Sequence, residues 1–517
     1  MRRLMMMVAV FALAGSGFAE LKLATVFSDG MVLQRDQKVP VWGWAEPGAE
    51  VTVSFAGKDK AVKADKDGKF MVRLKKMAAN AEPQLLVVKS DSETVEVKNV
   101  LVGEVWLCSG QSNMEWSVSK TKDFETEKAA ADYPLIRMFL TDRAVANLPK
   151  QDCTGSWQVC RPETVGGFSA TAYFFGRELH TKLGVPVGLI RTCWGGTRIE
   201  AWSPMESLEQ FEAIMQIKKT ADEKASRYDP ADAQVQFEKK LATWSEAATA
   251  AKAAGKKVPR KPGKANAPLL SQHYPANLYN AMIHPFVPYG MRGAIWYQGE
   301  SNTKTISMAM LYRDLLENMV NEWRDDWGDR FSFYAVQLVN FKKEQVAPIE
   351  DTGWAFIRDS FLTFHKEVPN AGIAVGIDVG EAKNIHPKNK QAIGCRLAQQ
   401  ALANTYGKKV VAGGPIYKSM KVDGNKVVIK FEDIGSGLVE QGGVPLKRFA
   451  IAGADKQFVA AQAVIVENRV IVSSSDVTDP VAVRYAWADN PVGCNLFNKE
   501  GFPASPFRTD DWAPVAE

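Results

Sequence analysis

The chain has 517 residues, 64 Lys and Arg against 59 Asp and Glu, a formal net charge of +5, and 46% apolar residues. A polypeptide this long outgrows a single hydrophobic core and divides into about three domains. The near-balanced charge with no long basic run argues against nucleic acid as a partner, and no internal repeat is visible.

Arg2 and Arg3 precede an apolar run from Leu4 to Ala14, and Gly17-Phe18-Ala19 offers a small-residue cleavage site. This is the pattern of a signal peptide over 1–19. The run is shorter than the roughly 20 residues needed to cross a bilayer, and no cysteine for lipid attachment sits at the cleavage site. Nothing later is long and apolar enough to span, so the expectation is an exported protein, periplasmic or secreted, with no membrane partner. Residues 20–100 alternate apolar and polar positions, as in Val51-Thr52-Val53-Ser54-Phe55, with turn signals at Glu46-Pro47-Gly48 and Asp65-Lys66-Asp67-Gly68. They predict an N-terminal β-sandwich.

From 101 to 408 strand and helix patterns alternate, which predicts an α/β domain with a mostly parallel sheet. Helices are expected at Thr171 to Leu183, Ser307 to Trp327 and Lys390 to Thr405. Residues of about 206–270, rich in Ala, Lys and Glu, form a helical insertion that is either a lid or, the favoured reading, a solvated hairpin. Strand patterns return over 409–517 with a hairpin turn at Val422-Asp423-Gly424-Asn425, predicting a second β-sandwich.

Function concentrates where apolar strands stop. Val100 to Cys108 reads as a buried strand and runs into Gly110-Gln111-Ser112-Asn113-Met114, which exposes a serine at a strand end. Reactive groups collect at the carboxyl ends of strands in open α/β sheets. Arg191-Thr192-Cys193-Trp194-Gly195-Gly196-Thr197 and Ile295-Trp296-Tyr297-Gln298-Gly299-Glu300 are two more such ends, and Asn384-Ile385-His386-Pro387 precedes the last predicted helix. A serine, glycine amides, a carboxamide and a histidine are the parts of an acyl-transfer site: nucleophile, oxyanion donors and base. Six cysteines suggest one near-neighbour pair, Cys153 with Cys160, as a disulfide. With no CxxC pair, no HExxH helix and five dispersed histidines, neither a metal site nor a cofactor is expected.

The segments SGQSNMEW, WGGTRIEAW, RGAIWYQGESN and NIHPKNK, with the tail RYAWADNPVGCNLFNKEGFPASPFRTD, resemble the sialate O-acetylesterase family, a branch of the SGNH hydrolases. The resemblance runs from about residue 20 to the C-terminus. It implies a flavodoxin-like three-layer core between the two β-sandwiches, with Ser112 as nucleophile and His386 as base. The oxyanion is expected at the amides of Ser112 and of Gly195 or Gly196, with the side chain of Gln298 in place of the asparagine common among SGNH enzymes. The usual acid position, three residues before the histidine, holds Lys383. Asp378, Glu381 or a backbone carbonyl acting within a Ser–His dyad are the alternatives. Arg198, Glu200, Glu115, Trp116, Tyr297 and Glu300 are candidates to line a sugar pocket, arginine suiting a carboxylate and aromatic faces suiting sugars. Trp296 reads as strand core, and His273 and His284 as structural. The implied reaction is removal of O-acetyl groups from sialic acids, 9-O-acetylated ones first. The alternatives are acetylated xylan or xyloglucan as substrate, or an inactive carbohydrate-binding protein.

Overall fold

The computed structural model describes residues 20–514 apart from 92 and 264–266, so the expected leader lies outside the described residues. The central sheet contains β1 (Thr94–Gly110), β2 (Tyr133–Thr141), β3 (Gly155–Cys160), β4 (Val187–Cys193), β5 (Gly293–Tyr297), β6 (Ser332–Gln337) and β7 (Ala371–Val375), in the order β3-β2-β4-β1-β5-β6-β7. All run parallel except β3, which pairs antiparallel with β2 at the edge. Taken in chain order, the six parallel strands lie 2-3-1-4-5-6. This differs from the flavodoxin order 2-1-3-4-5, because the chain leaves β1 for the outer β2 and then returns to insert β4 directly against β1. The expected α/β class and parallel sheet stand, with β4, β1 and β5 side by side.

Four helices cover this sheet: α1 (Ala170–Leu183), α4 (Ile306–Trp327), α5 (Gly353–Glu367) and α6 (Lys390–Gln400), with α2 and α3 given below to the insertion. α1 packs on α6, and α4 on α5. Trp106 of β1 meets Phe175 of α1 edge-on, with ring centroids 5.0 Å apart. Trp296 of β5 meets Trp323 of α4 at 5.9 Å. Trp296 stands opposite Ser109, three positions beyond Trp106, so the two tryptophans point to opposite faces of the pleat. The helix pairs therefore sandwich the sheet in three layers. Leu311, Leu315, Met319 and Trp323 recur every fourth residue along α4; the last three are buried and Leu311 is half-buried.

β1 crosses the domain boundary expected at residue 100. Its first part pairs with the N-terminal strands Asn80–Lys89 and Val32–Gln34, and from Glu104 onward it pairs with β4 and β5. One continuous strand thus ties the N-terminal β-unit to the central sheet, reinforced at the seam by buried Glu104 paired with Arg35 and, at 2.9 Å, Arg292. In the N-terminal unit the predicted alternation buries Val51, Val53 and Phe55. Beyond residue 415 the chain forms two four-stranded sheets and one two-stranded sheet, all antiparallel. The tail motif is a seam to the central α/β layers: the fully buried Arg358 of α5 donates to the carbonyls of Ala488 (2.6 Å) and Asp489 (3.0 Å).

The insertion is a helical hairpin, α2 (Glu212–Ser226) and α3 (Pro230–Ala253). α3 buries only Ala248. The expected Cys153–Cys160 disulfide is absent, and all six cysteines are free. Cys160 ends β3 fully buried with its thiol facing the Ala131 carbonyl, so the strand carries it into the core and away from a bridge.

The end of β1 depends on Gly110, whose φ is +138°. A Cβ there would stand 2.2 Å from the Tyr297 carbonyl oxygen. Gly110→Ala is expected to destabilise the protein by about 2 kcal/mol or more. Urea unfolding followed by far-UV circular dichroism checks this, and an unchanged midpoint would contradict it.

Candidate active site

Ser112 opens a single helical turn, Ser112–Glu115, immediately beyond β1. The turn is held against the start of α1, where Ser169 Oγ donates to the Met114 carbonyl at 2.5 Å and Thr171 Oγ1 to the Asn113 carbonyl at 3.3 Å. Cys193 of β4 and Tyr297 of β5 both stand in register with Gly110, so the loops that follow them rise on either side of Ser112. Gly195 lies so close that a Cβ there would be 3.1 Å from the Ser112 Cβ.

His386 arrives on the loop before α6. Its Nε2 is 2.8 Å from Ser112 Oγ. Asn384 braces the loop by accepting from the His386 N–H at 3.0 Å and donating to its carbonyl at 2.7 Å. The Trp116 ring stacks on the imidazole with centroids 4.7 Å apart and planes 14° apart. Burial first, then the charges of Lys390 and Lys120, lower the pKa of His386 below the usual histidine value. Desolvation disfavours the charged imidazolium, so the ring is neutral at pH 7 and able to accept a proton.

Neither candidate carboxylate reaches the imidazole. Asp378 is taken by Arg396 in a two-pronged ion pair, 2.6 and 2.7 Å. Glu381 accepts from the Lys388 N–H at 2.9 Å and from Asn384 at 3.3 Å. Lys383 is exposed. Among the described residues His386 Nδ1 has no hydrogen-bond partner.

The carboxamide of Gln298 is fully buried beneath the serine. Its Nε2 donates to Asn302 Oδ1 (2.9 Å), the Thr197 carbonyl (3.1 Å) and Gln111 Oε1 (3.2 Å), and its Oε1 accepts from the Tyr312 hydroxyl at 2.9 Å. It is therefore a brace among loops and not the free oxyanion donor expected from the sequence. Gln111 Oε1 also accepts from the Ser301 N–H at 3.3 Å. With that oxygen fixed, the Gln111 amide nitrogen is the carboxamide donor left beside Ser112. The Gly195 N–H is likewise committed, to Glu115 Oε2 at 3.0 Å. Exposed Gly196 and the Ser112 N–H, first in its helical turn and without an intrahelical acceptor, remain available.

Residues 102–230 and 268–403 match the family described as carbohydrate esterase, sialic acid-specific acetylesterase. The human sialate O-acetylesterase is 27% identical over 96% of this chain and 93% of its own length, and the mouse enzyme 29% identical over 79% and 77%. A crystal structure of a carbohydrate acetylesterase from Xanthomonas citri superposes with a TM-score of 0.80 at 38% identity, covering 95% of this chain and 100% of that one. The chain belongs to the sialic acid-specific acetylesterase family. It is accordingly a carboxylic ester hydrolase, which sets aside the inactive binding-protein reading.

The residues expected to line the sugar pocket separate into two groups in this esterase. Glu115 faces inward to its own loops, receiving Arg143 (2.9 Å) and Arg191 (3.4 Å) besides Gly195. Trp116 covers His386, and Trp296 and Tyr297 are fully buried core. Glu300 is buried behind the serine turn against Asn113, and Glu200 is buried against Asn302 at 3.1 Å. Arg198 alone of the set opens, with Gly196, into a cleft of about 830 Å³. Lys224 from insertion helix α2, His273, Ser301 and Lys304 share its walls, and no described lining residue is acidic. Burial, then the charges of Arg198 and Lys304, lower the pKa of His273. His273, read from sequence as structural, is thus part of the cleft.

Two outcomes test the site. Asp378→Asn is expected to weaken folding, by about 1–3 kcal/mol for a charge-assisted bond to a largely buried guanidinium, while kcat stays within roughly tenfold of wild type. Thermal unfolding and steady-state kinetics on one acetyl ester separate the two effects, and a kcat loss of about 10² or more would make Asp378 the acid. Because the folded pKa of His386 is lowered, the neutral base persists as pH falls until that lower pKa is crossed. The acid limb of kcat/KM is expected below the ordinary histidine value of about 6.5; a limb at or above it would contradict the assignment.

Proposed function

We propose that this esterase removes O-acetyl groups from acidic sugars, sialic acids first, through a Ser112–His386 dyad. The observation that carries the reading is the 2.8 Å contact between Ser112 Oγ and His386 Nε2; Gly195 packs beside Ser112, and its neighbour Gly196 lines the cleft that holds Arg198, Lys224 and Lys304. His386 takes the hydroxyl proton as Ser112 attacks the acetyl carbonyl, then returns it to the departing sugar hydroxyl. Water, activated by the same imidazole, releases acetate from the acetyl-serine. The oxyanion is stabilised by the amides of Ser112 and Gly196 and by the Gln111 carboxamide, which Gln298 holds in place. Stacked Trp116 fixes the imidazole plane, the orienting work an acid does elsewhere, without a countercharge.

Arg198, Lys224 and Lys304 suit a substrate carboxylate, Arg198 through paired donors. A second reading, acetylated xylan or xyloglucan, keeps the chemistry and draws support from the relative described as a carbohydrate acetylesterase. Acetate release measured side by side on 9-O-acetylated sialoglycan and acetylated xylan decides between them, and faster turnover of xylan would overturn the sialate reading. The Arg2-Arg3 leader pattern supports export to the periplasm or medium, and no described helix is long and apolar enough to cross a membrane.

Ser112→Ala is expected to lower turnover by about 10⁴ or more with the fold intact. Circular dichroism and acetate release on the purified variant check this, and retention of a tenth of wild-type activity would remove Ser112 as nucleophile. Gln111→Ala is expected to lower kcat by about 10² to 10³ with little change in KM, because an oxyanion donor acts on charge that develops in the transition state. A change confined to KM would instead assign Gln111 to substrate binding.

A further inference from the structure

Directly behind the serine turn lies a set of buried polar side chains that the hydrolytic steps above do not use. Asn113, the residue after the candidate nucleophile, donates from Nδ2 both to Glu300 Oε1 and, at 3.0 Å, to the carbonyl of Ile385, the residue before His386. Its Oδ1 accepts from Lys390 Nζ. Lys390 is fully buried and also lies 4.8 Å above the ring of Tyr297, the last residue of β5. One carboxamide therefore ties together the serine turn, the loop after β5, the histidine loop and the first residue of α6.

Physical cost makes this arrangement informative. Lys390 occupies the first position of α6, where the helix dipole disfavours a cation, and full burial removes its hydration. A buried ion pair is weak evidence for stability, since apolar residues of similar volume often serve as well. Beside it, Glu300 Oε2 and the Tyr297 hydroxyl are buried with no hydrogen-bond partner. Locally unfavourable groups cluster where function requires them.

We infer that Lys390, Asn113 and Glu300 form a buried clamp that positions the serine turn against the histidine loop, with the Lys390 charge favouring the neutral imidazole. The inference rests on the Ser112–His386 reading. None of the three touches substrate; they are positioning residues. The charged groups acting on His386 are Lys390 from α6 and Lys120 from beyond the serine turn, while Lys390 itself faces Glu300 and Glu381. Burial is the main cause that brings Lys390 down to about 7, and burial also raises Glu300.

Removing the cation should relieve repulsion of the imidazolium and raise the pKa of His386. In Lys390→Met the acid limb of kcat/KM is expected to move to higher pH by on the order of half a unit, with kcat down by about tenfold or more and KM little changed. Because Lys390→Met leaves Glu300 buried without its cation, the paired variant Lys390→Met/Glu300→Gln supplies a neutral version that keeps the shape. The same shift is read without turnover from the imidazole proton resonance of His386 titrated in Ser112→Ala, assigned by its loss in a Ser112→Ala/His386→Asn protein. An unshifted limb and resonance titration in Lys390→Met, together with wild-type kcat in the paired variant, would overturn the inference. A wild-type protein that releases no acetate, or a Ser112→Ala variant that still does, would overturn the dyad reading instead, so the two failures are distinguishable.

Discussion

The geometry of the site depends on one buried carboxamide. Gln298 bonds to Gln111 before the serine, to Thr197 in the loop after β4, and to Asn302 in its own loop. Its oxygen takes the Tyr312 hydroxyl, which in turn accepts from the Trp296 indole at 3.0 Å. A buried amide left with an unmet donor or acceptor costs about 1–3 kcal/mol per group, so displacement of any one loop penalises all of them. The strands make this possible: β4 and β5 flank β1, and their last residues share register with Gly110.

Among the described residues no carboxylate bonds to the imidazole of His386: Asp378 is engaged by Arg396 and Glu381 by its own loop. Desolvation and neighbouring cations lower the histidine pKa, which favours the neutral ring and raises the free energy of its imidazolium form. Stacked Trp116 and the Asn384 brace limit the ring's orientations. Lys120 and Lys390 stand near His386, and Arg198, Lys224 and Lys304 in the cleft; Lys390 faces Glu300 and Glu381, and Arg198 lies 3.8 Å from Glu200.

The insertion is neither a closed lid nor an independent hairpin. Its second helix is solvated, as its composition suggests, while its first helix forms one wall of the cleft through Lys224. The family match stops at residue 230 and resumes at 268. It includes the wall-forming α2 and leaves out nearly all of α3.

The sequence alone determined much of this protein. Period-two alternation in Val51 to Phe55, the apolar stripe on α4 and the abrupt polar ends of β1, β4 and β5 are local patterns, because strand and helix periodicities are imposed by the backbone itself. Ser112 and His386 were legible for the same reason: each sits in a short motif at an element boundary. What tertiary structure alone decided was the partner of every polar group. Asp378 is as close in sequence to His386 as an acid needs to be, yet Arg396, one turn and more into α6, claims it. Gln298, Glu115 and Glu300 have the chemistry to meet a substrate, yet each is consumed by a residue 70 or more positions away or by a neighbouring loop. Cys160 follows its strand into the core and leaves Cys153 unpaired. Gln111, Asn113 and Lys390 lay within the recognised motifs, but nothing local marks which amide nitrogen stays free or which lysine is buried. Hydrogen-bond and ion-pair choice is a competition among groups brought together by folding, and its outcome is set by contacts that sequence spacing does not encode.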